Sequence, residues 1–148
     1  MISGDIPWDL QLTTEHEDIA EVIWLNYKAH IAKGPKADAP LPPYPFIFTK
    51  PTDSINGPFS PVYISSKCAD TMGYEGEFTL VLGRDCKDVI AVAGALESIL
   101  EYTVGNDISC GKWHRPDISD GQHGYAKRFD AFALFGPVLV TPSLLPIN

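Results

Sequence analysis

Runs of apolar residues along the chain predict more strand than helix. Four segments have the length and the β-branched or aromatic content of strands, namely "FIFTK", "SPVYISS", "EFTLVLG" and "YTVGNDIS". Gly105 and Asn106 are expected to break the last of these before Asp107. Near the C-terminus, "RFDAFALFGPVLVTP" predicts a strand, a Gly-Pro turn and a second strand. The pattern indicates a mainly β protein.

Two segments favour helices. The first, "TTEHEDIAEVIWLNYKAHIAK", opens with Thr14 and Glu17 at capping-box spacing, although its part from Val22 to Leu25 also suits a short strand. The second, "DVIAVAGALESILEY", has Asp88 as a candidate N-cap and several alanines. A proline-rich connector precedes "FIFTK", and "CGKWHRPDISDGQHG" predicts a polar loop. The helices are therefore fewer than the strands.

Size and composition indicate one folded unit, and the predicted elements place it in the α+β class, predominantly β. The chain has 148 residues, which is enough for a single domain over residues 1–148 with a sizeable core. A hydrophobic content of 45% and a charged content of 20% are typical of globular rather than disordered proteins. The net charge of −8, with no cluster of Lys and Arg, argues against a nucleic-acid or anionic-membrane partner.

Cysteine usage and the N-terminus predict a cytoplasmic location. The three cysteines are odd in number and form no CxxC pair, which favours a reducing compartment. The first residues, "MISGDIPWDLQL", lack the basic and apolar regions of a signal peptide. No apolar stretch approaches the roughly 18 residues that a transmembrane helix needs.

Three acidic residues lie at predicted strand ends. Glu75 and Glu77 are two positions apart at the start of "EFTLVLG", so their side chains project from the same face and repel each other. The rest of that strand is apolar on both faces, which predicts an interior position. A strand–helix–strand unit would return Asp107 towards the pair. The three carboxylates either are solvated or hold a hard cation such as Mg²⁺, Mn²⁺ or Ca²⁺.

Several segments occur in an order that is typical of one enzyme family. They are "EGEFTLVLGRDCKDV", "YTVGNDIS" and "AKRFDAFALFGP", preceded by "LNYKAHIAKGPKADAPLPPYPFIFTKPTDSINGP". As an ordered set, they resemble the fumarylacetoacetate hydrolase family over about residues 22 to 142. The resemblance implies a mixed β-sandwich roll. Relatives continue through a further sheet segment with a Thr-Gly-Thr-Pro loop, so the roll is expected to be incomplete after Asn148.

The resemblance implies a metal centre and a neighbouring lysine. The Glu-x-Glu pair of the family corresponds to Glu75 and Glu77, and the aspartate of its Asn-Asp motif to Asp107. In relatives these three hold one divalent cation, usually Mg²⁺, Mn²⁺ or Ca²⁺. Lys127, two residues before the Phe-Asp pair, would face substrate oxygens as a catalytic residue. The acids that repel each other would thus share a metal ion.

The resemblance also assigns a catalytic lid histidine, His30. In many relatives a glutamate follows this histidine by three residues, and the pair activates the attacking water. Here that position is Lys33, which cannot orient an imidazole as a carboxylate does and whose charge lowers imidazole basicity. Decarboxylation or tautomerisation is therefore favoured over hydrolysis.

Lys50 and Ser109 are the residues that the resemblance assigns to substrate binding. Two residues after this serine, relatives carry a substrate-binding arginine, whereas this chain has Gly111. His114 stands where relatives carry a glutamine, and both it and His123 are expected to be solvated in the polar loop. The substrate pocket is thus predicted to differ from that of most relatives.

The resemblance leads to a prediction of function with one alternative. Relatives hydrolyse carbon–carbon bonds, decarboxylate or tautomerise small 2-oxo acids and 1,3-dicarbonyl compounds through an enolate, whose charge a divalent cation and a lysine stabilise. A metal-dependent enzyme of this type, acting as a homodimer, is expected. The alternative is an impaired homologue that keeps the fold and serves as a binding or assembly partner.

Overall fold

The computed structural model describes residues 20–24, 26, 27, 29, 44–89 and 92–146. The strands are β1 (Ala20–Trp24), β2 (Phe46–Lys50), β3 (Ile55–Asn56), β4 (Met72–Gly73), β5 (Gly76–Leu82), β6 (Ile99–Asp107), β7 (Ser109–Cys110) and β8 (Ala133–Phe135). The helices are α1 (Val92–Leu96), α2 (Pro116–Ser119) and α3 (His123–Lys127), with 3₁₀ turns at Thr52–Ser54, Ala69–Thr71 and Gly111–His114. This mixture of many strands and few short helices confirms the predicted fold class.

A four-stranded mixed sheet forms the largest sheet of the described part of the chain. Its order is β3–β8–β6–β5, with β6 antiparallel to both neighbours and β3 parallel to β8. Two antiparallel pairs, β1–β2 and β4–β7, complete the strand pairing. In the sheet, Gly76 is paired with Asn106 and Glu77 with Gly105. The start of β5 and the end of β6 therefore lie side by side, as the predicted acid site requires.

Several predicted strands are confirmed with changes of boundary. β2 coincides with "FIFTK", β5 with most of "EFTLVLG", and β1 confirms the strand alternative around Val22. The prediction that Gly105 breaks its strand is wrong, since β6 continues to Asp107. Glycine is needed there for close packing instead, because a Cβ at Gly105 would lie 2.5 Å from Thr79 Oγ1. The predicted helix start at Thr14 lies outside the described residues.

Other secondary-structure predictions are wrong. Residues 60–66, "SPVYISS", contain no strand, and the segment ends in a turn in which the Cys68 amide donates to the Ser65 carbonyl. The helix predicted from Asp88 shrinks to α1, because Asp88 has a left-handed φ of 53° and residues from Ile99 onward pair with β5. The predicted polar loop includes α2 and the start of α3. No helix in the described part of the chain has the length and hydropathy to cross a membrane.

The C-terminal segment matches its prediction in part. β8 forms as expected and is followed by a turn at Gly136–Pro137. The second predicted strand is reduced to one bridge, in which Val140 and Tyr102 exchange backbone hydrogen bonds of 2.9 and 2.8 Å. The chain thus returns to the sheet without adding a full strand.

Apolar side chains divide between a small core and an exposed sheet face. The core groups Cys68, Ile108, Cys110 and Phe132, against which partly buried side chains of neighbouring strands, turns and loops pack. On β5, by contrast, three alternate side chains are 47–59% exposed, namely Phe78, Leu80 and Leu82. The prediction of an interior strand is therefore wrong. β5 is an edge strand of the described sheet, and one of its faces is open.

Candidate active site

Four charged side chains meet at the ends of different elements, and we call them the charged cluster: Lys50, Glu75, Asp107 and Lys127. Lys50 ends β2, Glu75 precedes β5, Asp107 ends β6 and Lys127 ends α3. The Asp107 amide donates a 2.9 Å hydrogen bond to the Glu75 carbonyl, so the backbone itself joins the two acids. The fold thus gathers residues that are up to 77 positions apart in the sequence.

The ammonium group of Lys127 bridges two carboxylates. Its Nζ donates to Glu75 Oε1 at 2.7 Å and to Asp107 Oδ2 at 2.5 Å, and lies 5.2 Å from the centre of the Phe48 ring. The Lys127 side chain is 1% exposed. A buried cation between two anions offsets their repulsion, which is the task that the sequence predicted for a metal ion.

Lys50 approaches Asp107 from the opposite carboxylate oxygen. Its Nζ lies 2.7 Å from Asp107 Oδ1 and donates to the carbonyl oxygens of Ile108, Lys127 and Phe132 at 3.2, 2.8 and 2.7 Å. The ammonium group of Lys50 thus has four close oxygen neighbours for its three protons, with Asp107 and Phe132 the nearest. Burial lowers the pKa of Lys50, and the charge of Asp107 offsets part of that effect.

Ser109 and Lys127 together stabilise the ionised form of Glu75. The Ser109 hydroxyl donates to Glu75 Oε1 at 3.0 Å, the same oxygen that accepts from Lys127. Burial by itself would raise the pKa of Glu75, but the hydrogen bond and charge of Lys127 and the Ser109 bond outweigh it and hold the pKa below its usual value. The Ser109 hydroxyl, predicted to bind substrate, is thus bonded to a candidate metal ligand.

A cleft opens beside the charged cluster. Residues from β1 and the segment after it line the cleft together with acids and Lys127: Val22, Ile23, Trp24, Asn26, Tyr27, Phe48, Glu75, Glu77, Asp107 and Lys127. Lys50 is absent from this lining. His30 and Lys33, the predicted lid position and its altered partner, lie outside the described residues. The cleft therefore has a charged side formed by the cluster and an apolar side formed largely by β1.

The residue types at the cleft fit a divalent cation. All three predicted ligands, Glu75, Glu77 and Asp107, line the cleft, and their carboxylate oxygens suit Mg²⁺, Mn²⁺ or Ca²⁺. Asp107 Oδ1 is buried, with Lys50 Nζ 2.7 Å away. Across the described residues, no three His, Cys, Asp or Glu side chains are arranged to hold a metal ion, and Lys127 Nζ occupies the space between two of the acids.

Two histidines beside the cluster were wrongly expected to be solvated. The His123 ring lies 5.0 Å from that of Trp24, 5.6 Å from that of Phe48 and 5.2 Å from that of His114. Nδ1 of His123 and Nε2 of His114 are enclosed without a hydrogen-bond partner. Burial, together with the charge of Lys127, lowers the pKa of both rings. The signal in the sequence was spacing, because His123 precedes Lys127 by four residues and shares its helix face.

Comparison with known proteins identifies relatives of the chain. The model of the family described as "Fumarylacetoacetate (FAA) hydrolase C-terminal" matches residues 21–147. Protein Rv2993c of Mycobacterium tuberculosis is 43% identical over 119 residues, which are 78% of this chain and 41% of that protein. The chain thus spans about two fifths of the length of the curated relatives that it matches.

Solved structures share the fold. A 5-carboxymethyl-2-hydroxymuconate delta-isomerase from Mycobacterium smegmatis superimposes with a TM-score of 0.70 at 38% identity, covering 84% of this chain and 47% of that one. A fumarylpyruvate hydrolase from Pseudomonas aeruginosa, solved with Mn²⁺ and pyruvate, gives a TM-score of 0.72 at 24% identity, covering 89% and 57%. At that identity the second match establishes the fold alone.

Proposed function

Because the chain belongs to the fumarylacetoacetate hydrolase family, we propose that it is a divalent-metal-dependent enzyme acting on a small 2-oxo acid or 1,3-dicarbonyl compound. The observation that carries this proposal is the convergence of Glu75, Glu77, Asp107 and Lys127 on one cleft. An acidic trio supplies hard oxygen donors, and a buried lysine supplies a positive charge that does not depend on the metal.

Glu75, Glu77 and Asp107 would hold the cation, whose chemistry is Lewis-acid stabilisation of negative charge on a substrate oxygen. The choice among Mg²⁺, Mn²⁺ and Ca²⁺ rests on this donor set, and Mn²⁺ is the ion bound in the Pseudomonas hydrolase. Ser109 orients Glu75 through its hydroxyl. Lys127 binds and orients a substrate oxygen as a second source of positive charge, and the Phe48 ring excludes water from one side of the ammonium group.

Decarboxylation or tautomerisation fits the chain better than hydrolysis. Both need an electron sink for the developing negative charge, which Lys127 supplements, whereas hydrolysis also needs a base that activates water. Relatives use a histidine–glutamate pair for that step, and this chain has His30 followed by Lys33. The delta-isomerase from Mycobacterium smegmatis, at 38% identity, is a relative whose name describes an isomerisation rather than a hydrolysis.

Oxaloacetate decarboxylation in the presence of Mn²⁺ tests the proposed function. The loaded protein should exceed the background of free Mn²⁺, and a chelator should abolish the excess. Lys127→Met should lower the rate by about 10²-fold, the loss typical of one electrostatic donor. Lys87→Met, which removes an exposed lysine, is the matched control and should leave the rate unchanged. A rate equal to the metal background, with saturable Mn²⁺ binding absent in calorimetry, would refute the proposal.

The reaction preference has its own test at Lys33. Hydrolysis of an acylpyruvate should be weak in the unmodified protein, and Lys33→Glu should increase it by restoring the carboxylate partner of His30. Strong hydrolysis by the unmodified protein, without any gain from Lys33→Glu, would show that the lid position does not limit the reaction. Decarboxylation by the same samples serves as the internal reference, since it needs no activated water.

A homodimer is the proposed assembly, supported by the exposed face of β5. Three large apolar side chains of one strand are open on a chain with a net charge of −8, and apolar surfaces of this kind are typical of subunit interfaces.

The second candidate function is a non-catalytic homologue that keeps the fold. The ion pairs of Lys127 favour it, because they satisfy two of the acids without a metal. Calorimetry with Mn²⁺ separates the two functions.

A further inference from the structure

We infer that Lys50 is a positioning residue, an internal cation that fixes Asp107 and the end of helix α3 so that Asp107 and Lys127 face the cleft together. The inference rests on the proposed function for its meaning, because Asp107 and Lys127 are the groups that would bind cation and substrate. It replaces the prediction from family resemblance that Lys50 itself contacts substrate.

The surroundings of Lys50 leave it no access to a ligand. Its side chain is 1% exposed and does not line the cleft. Three backbone carbonyls and Asp107 Oδ1, at 2.7–3.2 Å, surround the ammonium group and can take all three of its protons. A group in this state can act on substrate only through the residues that it holds.

The carbonyl partners of Lys50 belong to segments that build the site. Ile108 follows β6 directly after Asp107, Phe132 precedes β8, and Lys127 ends α3. The bond to the Lys127 carbonyl fixes the backbone of the residue whose side chain reaches the acids. One ammonium group at the end of β2 thus ties together three segments that lie 58, 77 and 82 positions further along the chain.

Lys50 also selects which oxygen of Asp107 is directed to Lys127. Oδ1 is held by the charge of Lys50, and Oδ2 accepts from Lys127. With Lys50 removed, the carboxylate has one cation instead of two and is free to turn about its side-chain torsions. The charges of Lys50, Lys127, Glu75 and Asp107 sum to zero as they stand, so loss of Lys50 leaves a net negative charge in a buried place.

Metal affinity provides a test, because a positioning role for Lys50 and a purely electrostatic one predict opposite changes in Mn²⁺ affinity when Lys50 is replaced. Removing a positive charge near a cation site should by itself tighten Mn²⁺ binding, whereas loss of a group that orients a ligand weakens it by roughly 10–100-fold. Calorimetric titration of Lys50→Met with Mn²⁺ should therefore show weaker binding by about 10-fold or more. Lys87→Met, with the same loss of charge at an exposed position, should bind as the unmodified protein does. Unchanged or tighter binding in Lys50→Met would overturn the inference.

A cycle of unfolding measurements tests the same inference without any metal. Asp107→Asn should lower the urea midpoint in the unmodified protein, because Lys50 and Lys127 lose their anion. In the Lys50→Met background, Asp107→Asn should raise the midpoint, because it removes a buried charge that has lost a partner. If Asp107→Asn shifts the urea midpoint equally in both backgrounds, the contact between Lys50 and Asp107 is refuted. If Lys50→Met does not fold, Lys50→Gln takes its place. If the unmodified protein binds no Mn²⁺, the proposed function fails, and this cycle alone decides the role of Lys50.

Discussion

On one face of the β5–β6 pair, Asp107 is 5% exposed and held by two buried lysines, whereas on the other face Phe78 and Val104 are 47% and 59% exposed. The usual arrangement, with charges outside and apolar groups inside, is thus reversed across one pair of strands. The register explains how one pair of strands carries both faces. Glu77, which pairs with Gly105, projects to one side, while Phe78 and Val104 project to the other.

The two faces differ in whether their side chains find partners within the described part of the chain. On the charged face, Lys50 and Lys127 supply a cation to each oxygen of Asp107. Within the described residues the apolar face is open at Phe78, Leu80 and Val104, although Tyr102 on the same face is 3% exposed. The open apolar groups would gain from contact with a further apolar surface. The ion pairs of Asp107 therefore form within the described part of the chain, while the opposite face of the same strands exposes apolar side chains.

Replacement of the bridging lysine, Lys127, should have a large effect on stability. Lys127→Met removes the cation that Glu75 and Asp107 share and leaves the two carboxylates to repel each other. This change should lower the free energy of unfolding by about 3–5 kcal/mol. Urea denaturation in the absence of metal measures this loss, with Lys87→Met as the control. Mn²⁺ should restore part of the stability in Lys127→Met by replacing the missing charge. Full stability of metal-free Lys127→Met would mean that the charged face does not depend on its internal cation.

Truncation of one buried and one exposed phenylalanine should give different losses of stability, because only the buried ring is covered by other side chains. Phe132 is buried in the core, so Phe132→Ala should lower the free energy of unfolding by about 3–5 kcal/mol because it leaves a cavity. Phe78→Ala should cost about 1 kcal/mol or less in the monomer, chiefly from the lost contact with the Tyr102 ring at 5.2 Å. Thermal or urea unfolding of the two variants at a concentration where the protein is monomeric makes the comparison. Equal losses would show that the β5 face is covered in solution.

The approach of Asp107 to Glu75 was expected from the sequence, but the internal lysine network was not. Alternation along a strand put Glu75 and Glu77 on one face, and a strand–helix–strand return together with the family resemblance added Asp107, whose amide does bond the Glu75 carbonyl. That the three acids hold one cation stays a prediction. The role of Lys50 depends on carbonyls of Ile108 and Phe132, and any residue type offers a carbonyl. No pattern of side chains could therefore have revealed these contacts.

The fold class was predictable, but burial was not. Periodicity identified β2 and β5 because β-branched and aromatic residues stiffen an extended chain. The same pattern in β5 was wrongly interpreted as an interior strand, since it reports which groups a strand can bury and not what covers them. The helix after Asp88 was overestimated for a related reason. Residues from Ile99 onward are apolar enough for either state, and pairing with β5 decides between them.

A charge on the open face should separate subunits while leaving each chain folded. Leu80→Lys places an ammonium group at the centre of the exposed β5 face, so the proposed dimer should dissociate because the charge would be buried without a partner. The free energy of unfolding of the monomer should change by no more than about 0.5 kcal/mol. Light scattering at micromolar concentration measures the assembly. Leu144→Lys, at a residue that is exposed outside the sheet, is the matched control and should remain dimeric. Dimers that persist in Leu80→Lys would place the interface elsewhere.

The smallest expected effect concerns the histidines that border the charged face. Burial lowers the pKa of His114 and His123 below 6.5, so the unfolded chain binds protons more readily than the folded one in this range. Their contribution to stability is fully present above pH 6.5 and is lost as the pH falls towards the lower folded pKa. The free energy of unfolding, measured between pH 7.5 and 5.5, should therefore decline on acidification. This range lies above the usual pKa of carboxyl groups, so their titration adds little. His114→Gln/His123→Gln should flatten the decline, because it removes the two imidazoles whose protonation burial and the charge of Lys127 disfavour in the folded chain. A slope that is the same in the double variant would assign the decline to groups away from this face.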